Sequence, residues 1–268
     1  MVFVVSIMLR LRRLSCCVFL LLPLYQLLAQ ACTPPAETTT LGEAGPTDGA
    51  FWQEQLRFVR VRMAQVGTGP VVADRLRAHK LDPRQLEIFL RVIKTNQELE
   101  VWARNRGAGP FALLQAYPLA ATSGRLGPKR RAGDRQVPEG FYEIDRFNPQ
   151  SNYHLSLGIN YPNATDRALG EANPGGDIFI HGGEVTVGCL PITDIGIEEV
   201  YLLAVAARAA GQGIIPVHIF PFPLTEKELA KRAASPHQAF WRGLMPGYTY
   251  FEQHHEAAEL ARLSVAGK

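Results

Sequence analysis

Residues 177–199 read DIFIHGGEVTVGCLPITDIGIEE, and the rest of the chain is organised around them. The apolar run at 178–180 predicts a short strand that delivers His181 at its end. Gly182 and Gly183 follow at once, so the backbone can turn tightly and approach a ligand where a Cβ would obstruct it. Eight residues past His181, Cys189 follows Gly188 and stands just ahead of a predicted helix. Thr193 suits its N-cap, Asp194, Glu198 and Glu199 suit its electropositive first turns, and Ile197, Val200, Tyr201 and Ala204 form an apolar stripe. A thiol near a helix N-terminus and within reach of an imidazole can be held as thiolate, the form that attacks carbonyl carbon.

Outward from this unit, short alternating segments dominate. Residues 86–93 alternate Leu86, Ile88, Leu90 and Val92 against Glu87, Phe89, Arg91 and Ile93, and 99–103 alternate again after an Asn96-Gln97 turn, which predicts a hairpin. Residues 111–117, 140–144 and 154–159 are further strand candidates, joined by connections rich in Gly, Pro, Asn and Asp. The helix that begins at Asp194 is closed by Gly211 and Gly213, and 214–220 read as one more strand despite Pro216. Mostly antiparallel strands with one inserted helix predict an α+β, β-rich domain over 84–223. Before it, 51–65 and 71–79 carry Leu56, Val59, Met63 and Val72, Leu76, His79 at helix spacing, which predicts a helical segment over 51–83. After it, the capping box Thr225-Glu226-Lys227-Glu228 and a second start at Ser235-Pro236, followed by Phe240, Trp241 and Leu244, predict a helical C-terminal extension over 224–268.

The charge balance removes one function class. The formal net charge is +3, and Arg10, Arg12 and Arg13 in an acid-free N-terminal stretch account for all of it. The remainder is neutral and gives no electrostatic reason to expect nucleic acid. Those arginines precede an apolar segment at 14–29 and then Ala29-Gln30-Ala31, the small-x-small spacing of a cleaved leader. The expectation is a signal peptide over 1–31 and export to the periplasm or cell envelope. Cys32 comes next and offers a site for a lipid, so membrane contact would run through that lipid or through an uncleaved leader. Residues 32–50, rich in Thr, Pro, Glu, Ala and Gly, read as a flexible tether.

Cysteine usage then singles out one residue. Cys16 and Cys17 would leave with the leader and Cys32 would be the new terminus, which leaves Cys189 alone in the folded body. In an oxidising compartment a solitary thiol is either inert and buried or a nucleophile, and the adjoining histidine and glycines favour the nucleophile. A Cys32–Cys189 disulfide remains open. His154, in a strand-like run, is a weaker candidate that could face the same site. Lys129, Arg130, Arg131 and Arg135 could contact an acidic peptide or could form a solvated loop. His254-His255-Glu256 lacks metal-site spacing, and no metal or cofactor is expected.

Five blocks carry a resemblance: EIFLRVIKTNQELEVWARN at 87–105, SGRLGPKRRAGDRQVPEGFYEID at 123–145, RFNPQSNYHLSLGINYPNATDR at 146–167, IFIHGGEVTVGCLPITD at 178–194 and AFWRGLMPGY at 239–248. In this order they resemble the L,D-transpeptidases with a YkuD-type catalytic domain, more closely their YafK-like branch. The resemblance places the family's His-Gly motif on His181-Gly182 and its Ser/Thr-x-Gly-Cys motif on Thr186-Val187-Gly188-Cys189. It implies His181 as base and Cys189 as nucleophile; glycine's close approach and the nearby helix N-terminus make the backbone N–H groups around Gly188 and Cys189, with Gly182 and Gly183, the natural oxyanion donors, and Thr186 is a weaker candidate for substrate contact. The chain departs from many members in its short His-to-Cys separation, in Val187 where a His or Arg is common, and in Leu190-Pro191 where an Arg soon follows the cysteine. The implied substrate is a peptidoglycan stem peptide acylated at diaminopimelate, with transfer to an amine. The alternatives are hydrolysis that releases a peptide or lipoprotein linked to that residue, and a noncatalytic wall-binding module, for which His181 or Cys189 would be expected to be absent. A thiol redox protein lacks support, since no CxxC supplies a resolving partner.

Overall fold

In the computed structural model, which describes residues 49–257, the alternating runs become strands. In chain order these are β1 (Leu86–Ile93), β2 (Glu98–Asn105), β3 (Ala112–Pro118), β4 (Gly140–Asn148), β5 (Ser156–Ile159), β6 (Phe179–His181), β7 (Leu190–Pro191) and β8 (Pro216–Phe220). They form one sheet in the order β3-β2-β1-β8-β4-β5-β6-β7. Pairing is antiparallel except between β1 and β8 and between β6 and β7, which run parallel. The helices are α1 (Gly49–Gln55), α2 (Val59–Gly67), α3 (Gly69–Ala78), α4 (Ala164–Leu169), α5 (Asp194–Ala209), α6 (Glu226–Ala230) and α7 (Gln238–His254). The α+β class expected from the sequence is therefore the class observed. The leader and Cys32 lie outside the described residues.

Alternation in β1 buries both faces, each against a different layer. Leu86, Ile88, Leu90 and Val92 enter the main core with α5 and with Trp52, Val61, Ala64, Val72 and Leu76 of α1–α3. The opposite face meets α7, where Phe89 packs on Phe251 with ring centroids 4.6 Å apart and Arg91 pairs with Glu252. Helix α5 is buried on nearly every side, through Ile197, Val200, Tyr201, Leu202, Leu203 and Ala204, as a helix apolar all round must be. Thr193 caps it by accepting from the Gly196 N–H, as its sequence position predicts.

Four details differ from expectation. The single helix expected over 51–65 is broken, because Phe58 takes an extended conformation between α1 and α2 while Leu56 and Phe58 pack on the core. Helix α4 was not anticipated; a capping box between Asn163 and Asp166 supports a segment too short to show periodicity. Strand β7 is two residues long and was likewise not anticipated. Helix α7 starts after His237 rather than at Ser235-Pro236, and continues through Pro246. Among the described residues no helix is long and apolar enough to cross a membrane.

Candidate active site

Strand register brings His181 and Cys189 to one face of the sheet. In the parallel β6–β7 pair, Ile180 is opposite Leu190 and His181 opposite Pro191, so the same register continued by one residue sets Cys189 beside Phe179. Side chains alternate along a strand. Ile180 and Leu190 point into the core, while His181 and Cys189 share the other face, about 8 Å apart at Cα from strand spacing and rise. The sulfur lies over the start of β6: Cys189 Sγ–H donates to the Asp177 carbonyl at 3.6 Å, and the Phe179 N–H points at the sulfur. Cys189 is a free, half-buried thiol.

His181 is held in a defined tautomer by its own neighbour. Its Nδ1–H donates to the Gly182 carbonyl at 2.6 Å, which leaves Nε2 unprotonated and without a partner among the described residues. The ring is 2% exposed and lies under Tyr153, whose ring is 4.7 Å away at an angle of 37°. Glycine is required at 182, since a Cβ there would come within 2.5 Å of Asp194 Oδ1 and 2.8 Å of the Tyr153 carbonyl. The close approach lets the α5 N-terminus clamp the turn: Gly183 N–H donates to Asp194 Oδ1 at 2.8 Å.

The resting pair is neutral. Burial pushes the Cys189 thiol above its ordinary value, outweighing the Phe179 N–H, and burial lowers His181 despite its bond to Gly182. Both shifts favour the thiol over the thiolate and the imidazole over the imidazolium. The physical reason is placement: α5 begins at Asp194, with β7 between it and Cys189, so the helix dipole is more than a turn away from the sulfur.

The three glycines expected near an oxyanion all donate their N–H elsewhere in this state. Gly182 donates to the Tyr153 carbonyl at 3.0 Å, Gly183 to Asp194, and Gly188 to Ser123 Oγ at 2.7 Å. The Cys189 N–H has no partner among the described residues, and Ser123 keeps its hydroxyl proton to donate. Thr186 donates its hydroxyl to the Cys189 carbonyl at 2.8 Å and so braces the turn before Cys189. Among the described residues His154 makes no hydrogen bond or ring contact with His181; its Nε2 lies 2.7 Å from Glu198 Oε1, tying the loop that carries Tyr153 to α5.

Of the basic loop, Lys129 is buried against Asp134 at 2.6 Å, and Arg130 meets Asp166 at 3.2 Å and stacks on Phe240. Those two serve the fold, while Arg131 and Arg135 are exposed. No metal-binding cluster is present among the described residues. Sequence reasoning missed the contacts of Ser123 and Tyr153, which reach the site from other segments, and those of Asp177 and Asp194, which lie within 177–199 but meet Cys189 and Gly183 only once that stretch is folded.

No family model matches the chain. YafK of Escherichia coli K12, named as a provisional L,D-transpeptidase, is 36% identical over 168 residues, which cover 62% of this chain and 67% of that protein. The homologue in strain O157:H7 matches equally. Among solved structures, the helical cell shape determining protein Pgp2 of Campylobacter jejuni superposes with a TM-score of 0.41 at 23% identity, covering 52% of this chain and 49% of that one. Bd1075 of Bdellovibrio bacteriovorus gives 0.38 at 22% identity, covering 57% and 58%. The chain thus spans about half the length of these solved structures. The extent of its identity to YafK decides the family: this chain belongs to the L,D-transpeptidases, in their YafK-like branch.

Proposed function

We propose that the protein is an exported, cysteine-dependent acyltransferase acting on peptidoglycan stem peptides. The observation that carries this reading is the pairing, on one sheet face, of a free thiol with an imidazole whose Nε2 is open, in a chain of the L,D-transpeptidase family. Because both groups rest neutral, the proton moves from Cys189 to His181 Nε2 as sulfur attacks the diaminopimelate carbonyl, without a preformed ion pair. The tetrahedral intermediate places its oxyanion toward the Cys189 N–H. As the carbon–nitrogen bond breaks, His181 returns the proton to the departing amine, leaving a thioester. An acceptor amine, deprotonated by the same imidazole, then attacks the thioester and releases Cys189 as the thiol.

A second reading, amide hydrolysis, is favoured by one feature. Only residues 182–188 link His181 to Cys189, and Glu184, Val185 and Val187 along them are exposed, so no long loop covers the acyl carbonyl against water. In that reading water replaces the acceptor, and a peptide or lipoprotein attached to diaminopimelate is the leaving group. Intact-mass measurement after incubation with purified muropeptides, with and without an added amine, tests both. An acyl adduct that disappears in Cys189→Ala supports the shared first half; absence of any adduct in the unaltered protein rejects it. Acceptor adducts decide for transfer, and water-cleaved products alone at high amine concentration decide for hydrolysis.

A further inference from the structure

Two charged side chains flank the nucleophile on its own sheet face, and the fold makes room for them. Across the sheet, Arg146 on β4 is opposite Gly158 on β5, Gly158 is opposite Phe179 on β6, and Phe179 adjoins Cys189. The row exists because β4 carries a bulge between Ile144 and Arg146. Ile144 before it and Phe147 after it both pack toward the main core, so without the extra residue Arg146 would share Ile144's face. The bulge turns it to the catalytic face instead.

Gly158 completes the arrangement. A Cβ at that position would lie 2.8 Å from Arg146 Nε and 2.9 Å from Asp145 Oδ1. Its absence lets the guanidinium cross β5 and rest 4.8 Å from the centroid of the Phe179 ring, one strand from Cys189. There Nη1 donates to Asp177 Oδ1 at 2.9 Å, and Nε to Asp145 Oδ1 at 3.1 Å. Asp177 is the residue whose carbonyl accepts the Cys189 Sγ–H. Its side chain is 82% exposed and that of Arg146 is 43% exposed. An ion pair this open adds little to stability, so the bulge and the missing Cβ are poorly explained as a device for folding.

Hydrogen-bonding capacity points to a ligand. Arg146 has five N–H donors and uses two on the aspartates; its Nη2 edge remains for a carboxylate. Asp177 Oδ2 has no partner among the described residues and can accept from an ammonium. A carbon bearing both groups matches the pair without breaking it. We propose that Arg146 and Asp177 form the subsite for a zwitterionic amino-acid end on the acyl donor, Arg146 taking its carboxylate and Asp177 its ammonium. This rests on the acyl-transfer reading above, in which the side chain of diaminopimelate supplies such an end, and it gives the site a cation although Leu190-Pro191 follow the cysteine.

Binding to the Cys189→Ala form of the full chain tests the subsite without requiring turnover. Three synthetic probes are compared by calorimetry: a stem tetrapeptide with diaminopimelate, the same peptide with the side-chain carboxylate amidated, and the same peptide with the side-chain amine acetylated. Each modification should weaken binding roughly tenfold, the loss of one charge-assisted contact. Adding Arg146→Gln should weaken the free peptide to the same degree and make amidation inconsequential. Adding Asp177→Asn should do the same for acetylation; asparagine tolerates the positive φ of 54° at that position. Equal losses for all three probes, no losses, or no binding of any probe would each overturn the subsite. If the charge-matched pattern appears while the unaltered protein forms no acyl adduct, the acyl-transfer reading fails and the subsite stands.

Discussion

Desolvation sets the chemistry of Cys189 and His181 before any substrate arrives. With the thiol raised and the imidazole lowered, each keeps its uncharged form over a wider pH range than in water. Alkylation of the free protein by iodoacetamide, which needs thiolate, should therefore stay slow until the pH passes the ordinary thiol range. Acylation by muropeptide needs only a neutral base, so it should persist at pH values below the ordinary imidazole midpoint and fall only as the lowered His181 titrates. Coincident pH profiles for the two reactions would show a stored ion pair and contradict this assignment. His181→Gln should cost on the order of a hundredfold in acylation while leaving alkylation at high pH nearly unchanged. Ser123 accepts from the Gly188 N–H, so Ser123→Ala should free the turn before Cys189, with an expected loss of roughly tenfold in acylation and little change in melting temperature.

The segment that runs on from Ser123 to β4 is held by elements remote from it in sequence. Lys94, just after β1, gives its Nζ to Glu139 Oε1 at 2.8 Å and to the Val137 carbonyl at 3.0 Å; Trp241 of α7 donates to Glu139 Oε2 at 2.8 Å. Burial lowers the Lys94 pKa, with Glu139 opposing it, and the Glu139 side chain is fully enclosed. Lys94→Met would leave that carboxylate without its cation and should cost about 3–5 kcal/mol. Trp241→Phe keeps most of the ring and should cost about 1–3 kcal/mol. Urea denaturation measures both, and losses below 1 kcal/mol for Lys94→Met, on the scale of about 0–1 expected for surface pairs, would mean that water reaches Glu139. Such ties explain where the sequence was legible. Period-two alternation marked β1 and β2 to within a residue or two, and the Thr193 cap marked α5. The GG and GC steps marked His181 and Cys189. Two-residue β7 and six-residue α4 are too short for any period to emerge. Lys94, Glu139 and Trp241 meet only through tertiary structure, and the bulge that re-aims Arg146 adds one residue to a pattern that reads locally as ordinary alternation.

At the scale of the molecule, the sheet separates an α5 side, which supplies most of the core, from a second side shared by α7 and by His181 and Cys189. His218 sits in that second layer on β8, with Phe89, Phe141 and Phe220 at ring distances of 4.7, 4.8 and 5.9 Å and with Nδ1 lacking a partner among the described residues. Burial, helped by the nearby charge of Arg91, lowers its pKa from 6.5 to about 3. The unfolded chain takes up a proton at His218 near 6.5 and the folded chain does not, so the stability it carries is fully present above that pH and is lost progressively as pH falls toward 3. One proton of difference corresponds to about 1.4 kcal/mol per pH unit. His181 and the carboxylates add their own terms, but these are common to a variant that alters only His218. His218→Gln and His218→Leu should therefore lose stability less steeply than the unaltered protein between pH values of roughly 6 and 4, by up to that slope, whatever their stability at neutral pH. Urea midpoints across that range provide the measurement, and parallel profiles would show that His218 is protonated in the folded state. The same comparison separates two causes of inactivity in acid. If acylation fades because His181 titrates, the His218 variants keep the acid limb of the parent; if it fades because the sheet opens, their limb moves with their own urea midpoints.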